Sequence, residues 1–506
     1  MPGSVSSDPV VKEKTSQSSV QESRIEDADV SGVNMKALMR KIDIRLMPWL
    51  CLLYLLSFLD RSSIGNAKLY GLLPELKMSD NEYLIALSLF FIPYALGEVP
   101  SNILLKRLRP SIWLSILMIV WSIAMTAQGL IHNYAGLLSM RIVLGLAEAG
   151  LFPGVTYLLS CWYKRAEFGL RLAIFFSCAT LSGAFGGLLA FALAKMDGIG
   201  KHSGWAWIFI IEGIATFIAA VLSFWLVHDF PDNATFLNEY ERAAVIGRLQ
   251  DDAQWSAAGE KLKLRNVWQA FKDWKTWVGM VIYAGLDGPL YAFSLFVPSI
   301  VAELGFSANR ANLLTIPVYV WACFCTIAVG FFADKFNKRG VFNLLCFGMG
   351  LIGAAILIAS RNASLSYFAV YVMAGGIYPL IPNTAVWVAN NVEGTYKRGV
   401  VIGMVVGFGN LNGVVSGQIY RAKDAPWYRT GHSAMFAYFA IGFIFTLIMM
   451  YGLRRENARR DRGERDEKIL GSAEELTAHG RGGTFTSIDE ARTEKGDLWS
   501  GFRYVI

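Results

Sequence analysis

The chain has 506 residues, 54% of them apolar and only 17% charged, with a formal net charge of +7. A soluble chain of ordinary composition carries about 25% charge, and here the charge gathers at both ends and in one middle stretch, leaving long bare blocks. This excludes a large soluble core and leaves no folded basic face for nucleic acid; the excess cations flank a lipid bilayer.

Residues 1–45 read as a cytoplasmic N-terminal tail, mostly disordered, with no apolar segment in 1–34 and so no cleavable signal peptide. A membrane helix needs about 20 apolar residues to cross roughly 30 Å of hydrocarbon. Twelve segments meet that need: 46–67, 83–105, 111–131, 135–162, 172–194 and 205–228, then 274–301, 310–332, 341–359, 365–388, 400–420 and 434–453. The fold expected is all-α, twelve transmembrane helices in two six-helix bundles, 46–228 and 274–453. A polar linker, 229–273, separates them, and 454–506 reads as a second cytoplasmic tail, mostly disordered.

Lys and Arg in short loops set orientation. KRLR (106–109), KRAEFGLR (164–171), DKFNKR (334–339) and YKR (396–398) fall on one side, while HNY (132–134) on the other has none. Both termini and the linker are therefore expected in the cytoplasm of this multi-pass protein; the membrane expected for it is the plasma membrane. The six cysteines lie in or at the ends of spans, and the five histidines in loops or tails, with no metal-ligand or nucleophile–base spacing. No enzyme activity, cofactor or metal is expected. Asn362, in an Asn-Ala-Ser sequon on an external loop, is a candidate for glycosylation.

The two halves repeat at a shift of 226 residues. AGLFP (149–153) meets GGIYP (375–379), and Gly183 and Gly187 fall opposite Gly409 and Gly413. Glycines four apart let neighbouring helices approach closely. Duplicated six-helix halves suit a carrier that rocks about a midplane site. GFFADKFNKR (330–339) fits the Gly-x3-Asp loop of the major facilitator superfamily, although Leu105 replaces the aspartate in the first half. FLDRSSIGNA (58–67), GEVPSNILLKR (97–107), RIVLGLAEAGLFPG (141–154), WAWIFIIEG (205–213) and AFKDWKTW (270–277) further resemble its fungal anion:cation symporter branch, the allantoate- and nicotinate-permease-like group. The resemblance covers about 45–460. It implies proton-coupled symport of a small organic anion, with the Asp-Arg of span 1 and the Arg-x6-Glu of span 4 in the coupling role.

Ionisable residues inside spans are rare and usually face a cavity or a partner. Here they are Asp60, Arg61, Glu98, Arg141, Glu148, Glu212 and Asp287, and all but the last fall in the first half. Arg61 and Arg141 suit a carboxylate, because a guanidinium offers a planar fork. Each is expected to be held by Asp60 or Glu148, the proton-coupling candidates, until protonation frees it for substrate. The second half offers neutral groups for the same anion: Asn383, Thr384, Asn410 and Asn412. Phe90, Tyr94, Tyr283 and Tyr291 are candidate cavity walls. Glu98, Asp334, Lys335 and Arg339 are candidate gates; Asp287, beside Gly288 and Pro289, is a gate or a solvated wall. The competing reading of the four spanning charges 60, 61, 141 and 148 is a static ion-pair network. Partners expected are an anionic small molecule, protons and lipid, in a monomer. Export of an acidic secondary metabolite, or a nutrient sensor without flux, are the alternatives to import.

Overall fold

The structure is a computed structural model and describes residues 33–252, 264–303, 308–416, 418–419, 427–469 and 484–506. Twelve long helical segments occupy the places of the expected spans. In the first half they are α1 (Met35–Leu69), α2 (Asp80–Leu108), α3 (Pro110–Gln128), α4 (Tyr134–Glu148, continued by Leu151–Ser160), α5 (Phe168–Ala194) and α6 (Gly204–Leu226). In the second they are α7 (Trp274–Glu303), α8 (Ala308–Phe336), α9 (Arg339–Ala359), α10 (Ala363–Asn390), α11 (Thr395–Asn410, followed by Asn412–Ser416) and α12 (Arg429–Asp461). Ten of them are long and apolar enough to cross a membrane, and α5, bent by 42° between Phe168–Gly183 and Phe185–Ala194, makes an eleventh. The remaining one, α7, is a 30-residue helix in the place of the seventh span.

Local chemistry sets the helix starts. Ser79 and Glu82 form a reciprocal capping box at α2, while Asn133 and Asn362 cap α4 and α10 by accepting from the first-turn N–H groups. Asn362 is exposed at this cap, where its side chain accepts from Leu365 N. Between α2 and α3 the chain turns at Arg109, with Pro110 opening the next helix.

Each half packs as its own bundle: α1 against α5 and α6 and α3 against α4 and α6 in the first, α9 against α10 and α12 and α7 against α11 and α12 in the second. The halves meet through α2 with α11 and α5 with α8. Advancing each helix number by six exchanges those two pairs, as the duplication requires. The paired glycines behave alike: a side chain on Gly150 would collide with Ser101 and Leu117, and one on Gly376 with the backbone of Cys346 and Gly350. Gly183 packs on Tyr319, but Gly187 has nothing within 4 Å, so the expected close approach on α5 uses only one of its two glycines.

The structure adds to one expectation about the polar segments and changes another. The linker is partly helical, with Glu239–Asp251 held to the bundle by Lys41–Glu241 (2.8 Å) and by the pairing of Arg248 with Glu167. The second tail is not simply disordered. Helix α12 runs on to Asp461, and residues 484–506 fold back onto the second bundle. Asp497, 1% exposed, pairs with Lys275 (2.8 Å) and Lys397 (2.7 Å), and Asp273 bonds the same two lysines. Val505 N donates to Asn391 Oδ1, and Trp387 Nε1 donates to Val505 O. A two-residue parallel pairing, Lys468–Ile469 with Thr484–Phe485, is the β-structure among the described residues.

The face that gathers linker and tail is also where the halves are tied. Arg398 Nη1 donates to Ser160 O (3.1 Å), Asn390 Nδ2 to Arg165 O (2.8 Å), and Asn102 Nδ2 to Gly399 O (2.9 Å). Asp334, paired with Arg339, accepts from Gly169 N and Leu170 N, so a carboxylate of one half caps the N-terminus of α5 in the other.

Candidate functional site

A narrow cavity lies between the halves, lined by Tyr54, Phe58 and Arg61 of α1, Tyr94 of α2, Phe152 of α4 and Phe176 of α5. The opposite wall is Tyr283, Asp287, Leu290 and Tyr291 of α7, Ile381 of α10, and Val406 and Asn410 of α11. Helical periodicity explains the composition of two walls. Tyr54, Phe58 and Arg61 are four and then three residues apart on α1; Tyr283, Asp287 and Tyr291 are four apart on α7. Each set shares one helix face.

Arg61 is the centre of this site. Its Nη2 pairs with Glu148 Oε1 at 2.8 Å, and Ser57, one turn earlier on α1, donates its hydroxyl to the same oxygen. Its Nη1 donates to the Tyr291 hydroxyl (2.9 Å), which donates to Asn410 Oδ1 (2.6 Å), and Asn410 Nδ2 donates to Glu98 Oε1 (2.5 Å). The chain Glu148–Arg61–Tyr291–Asn410–Glu98 therefore leaves the first half, crosses α7 and α11, and returns to α2. The rings of Phe58, Phe90 and Tyr94 lie 5.1, 5.3 and 4.8 Å from the guanidinium carbon. Such contacts each contribute about 0.5–2 kcal/mol and fix the cation without consuming its hydrogen-bond donors.

The ion pairing differs from the sequence expectation. Asp60 does not hold an arginine: its Oδ2 accepts from Trp121 Nε1 (2.8 Å) and Thr216 Oγ1 (3.0 Å). Neighbouring residues point about 100° apart around a helix of 3.6 residues per turn, so Asp60 turns toward α3 and α6 while Arg61 turns to the cavity. Glu212 joins the Asp60 side, accepting from Ser63. Arg141, 2% exposed, forms no ion pair among the described residues, and its Nε and Nη2 have no hydrogen-bond partner. The four charges thus do not neutralise as two pairs: Arg61 takes Glu148, while Arg141, a candidate for the anion, does not line the cavity and makes no ion pair among the described residues.

Other candidates separate cleanly. Tyr94, Tyr283, Tyr291 and Asn410 line the cavity; Phe90 supports Arg61 from behind the lining. Asn383 and Thr384 do not reach it. Asn383 bonds Arg339 and Asn343, and Asn343 donates to Thr384, a buried polar cluster between α9 and α10. Asn412 faces α12, accepting from the Tyr438 hydroxyl at 3.0 Å. Glu98 is fully buried in the chain to Asn410 rather than near a helix end. Asp334 and Arg339 sit at the tied face, whereas Lys335 is exposed. Sequence reasoning missed Ser57, Tyr54, Phe58, Phe152 and Phe176; the spacing of 54, 57, 58 and 61 on α1 is the signal that marks the first three.

Comparison with known proteins agrees with this architecture. The family model of the Major Facilitator Superfamily matches residues 50–417. A high-affinity nicotinic acid transporter of Saccharomyces cerevisiae is 33% identical over 426 residues, covering 84% of this chain and 79% of that protein. The major facilitator-type transporter hxnP of Emericella nidulans is 35% identical, covering 87% and 90%. The MFS transporter prlL of a fungal species is 36% identical, covering 88% and 92%. Among solved structures, the proton:xylose symporter XylE bound to 6-bromo-6-deoxy-D-glucose superposes with a TM-score of 0.61 at 16% identity, covering 80% of this chain and 95% of that one, which speaks for the fold. This chain belongs to the Major Facilitator Superfamily, among relatives that are fungal multi-pass membrane transporters and not enzymes.

Proposed function

We propose that the protein is a proton-coupled symporter of a small organic anion, importing it across the fungal plasma membrane with both termini and the tied face in the cytoplasm. The observation that carries this reading is the cavity-wall guanidinium of Arg61 held by Glu148. A carboxylate entering the cavity matches the fork of Arg61 and competes with Glu148 for it. Glu148 Oε2 is buried and has no hydrogen-bond partner, so a proton has a place to land. Once protonated, Glu148 loses its claim on Arg61, and the substrate takes its place without leaving an uncompensated buried charge. Proton and anion thereby favour each other's binding. The nicotinic acid transporter among the relatives points toward a monocarboxylate.

Transport then requires the chain from Arg61 through Tyr291 and Asn410 to Glu98 to rearrange as the halves rock, because it spans both. The test is uptake of labelled carboxylates by cells expressing the protein, at acid and neutral external pH, with and without a protonophore. Acid-stimulated uptake abolished by the protonophore is the expected result. Uptake indifferent to both, or preference for neutral sugars over carboxylates, overturns the reading.

A further inference from the structure

One carboxylate on the cavity wall takes no part in the chain centred on Arg61. Asp287 is 2% exposed and lines the cavity, yet among the described residues it makes no hydrogen bond and no ion pair, and its Oδ2 is buried without a partner. Its neighbours cannot fill the vacancy. The Tyr291 hydroxyl, one turn away, already accepts from Arg61 and donates to Asn410. Arg61 itself is engaged by Glu148. A buried carboxyl without a partner is destabilising whether charged or neutral, since either form leaves a polar group unsatisfied. Retained at a cavity wall between Tyr283 and Tyr291, it marks a contact that the empty protein does not make.

We propose that Asp287 is a second attachment point for the cargo, accepting a hydrogen bond from an N–H or O–H donor, or a protonated nitrogen, that the substrate carries away from its carboxylate. The cargo is then a bipolar molecule rather than a plain acid. Its carboxylate sits on Arg61 and its donor on Asp287; Arg61 bonds the residue one helical turn from Asp287, so a single ring or a short amide spans the two. Phe58, Phe152 and Phe176 supply aromatic surface suited to a planar group between them. This rests on the reading of Arg61 as the carboxylate site.

The test uses the purified full-length protein and two pairs of probes matched in shape: 3-aminobenzoate with 3-methylbenzoate, and 3-aminobenzamide with 3-methylbenzamide. A hydrogen bond to a charged acceptor supports a preference of about tenfold or more for the amino member. Asp287→Leu should erase that preference by weakening the amino compound. Asp287→Asn, which keeps the volume and a neutral acceptor, should retain part of it and controls for misfolding. A preference confined to the benzamide pair supports the Asp287 contact while removing the anion reading of Arg61. Equal or undetectable binding of all four probes, or a preference that survives Asp287→Leu, overturns the proposal.

Discussion

Two buried polar regions of this molecule are built on opposite terms. At the tied face Asp497 lies between Lys275 and Lys397, Asp334 receives Arg339 and two backbone N–H groups, and Glu393 pairs with Arg398 at 3.2 Å. In the centre Asp287 has no partner, Glu98 and Glu148 each leave one oxygen unbonded, and Arg141 leaves two nitrogens unbonded. Burial is similar in both places, so the difference lies in the carboxylates. Those of Asp497, Asp334 and Glu393 leave no buried oxygen unbonded, although Arg339 Nε is left without a partner there, whereas those of Asp287, Glu98 and Glu148 each do. A completed network holds a conformation. An incomplete one is poised for something that arrives, which under the proposed function is a proton and a cargo molecule.

The largest effect should come from the cavity-wall cation at the centre of the incomplete region. Arg61→Gln removes the cation that holds the chain and is the proposed anion site, and uptake should fall about 100-fold or more, as expected for a lost charge-assisted pair. Arg61→Lys should rescue little, because an ammonium lacks the fork that reaches Glu148 and Tyr291 together. Near-normal uptake by either variant would place the anion elsewhere.

At the tied face Asp497→Ala leaves Lys275 and Lys397 to share the single carboxylate of Asp273, so one of two buried positive charges goes uncompensated, a loss of about 3 kcal/mol by analogy with other buried pairs. The tail should then undock and become open to added protease, while probe binding in the cavity is kept. Burial opposes ionisation of Asp497, but Lys275 and Lys397 outweigh it and hold its carboxyl well below the usual carboxylate range. A depressed native pKa gives stabilisation that is complete above the unfolded value, about 3.9, and fades only as pH falls through the native one. Protease resistance of the tail should therefore stay constant from about pH 8 to about pH 5, the interval in which symport is expected to change most. A tail that loosens within that interval breaks the contrast between the two regions.

Smaller effects sharpen it. Asn383→Ala leaves Arg339 and Asn343 short of partners and should lower stability by about 1–3 kcal/mol, read as a lower Tm with substrate affinity unchanged. Asn412→Ala should leave uptake within about twofold, since its bonds run to Gly409 O and Tyr438 rather than to the cavity. A large transport defect in Asn412→Ala would move the site toward α12.

The spans and the duplication were legible because hydrocarbon thickness and helix–helix contact act on local sequence. Charge pairing was legible only in part. Asp60 and Arg61 look like partners in a one-dimensional string, yet a helix turns adjacent residues apart, and the partner of Arg61 lies 87 positions away at Glu148. The cavity wall of α7 was visible as a stripe of residues 283, 287 and 291. The docked tail was not, because Asp497 is an ordinary surface acid until Lys275 and Lys397, 222 and 100 residues distant, are brought to it. Asn383 and Thr384 misled for the same reason: an amide inside a span suits a cargo or a neighbouring Arg339 equally well until the fold decides.

The most direct measurement is uphill uptake beside substrate exchange in proteoliposomes carrying Glu148→Gln. Glutamine matches the shape of a protonated Glu148 and can no longer release or accept the coupled proton. Accumulation driven by an inward proton gradient should disappear, while exchange of labelled for unlabelled carboxylate continues across equal pH. Gradient-driven accumulation at the wild-type level in that variant would contradict the account.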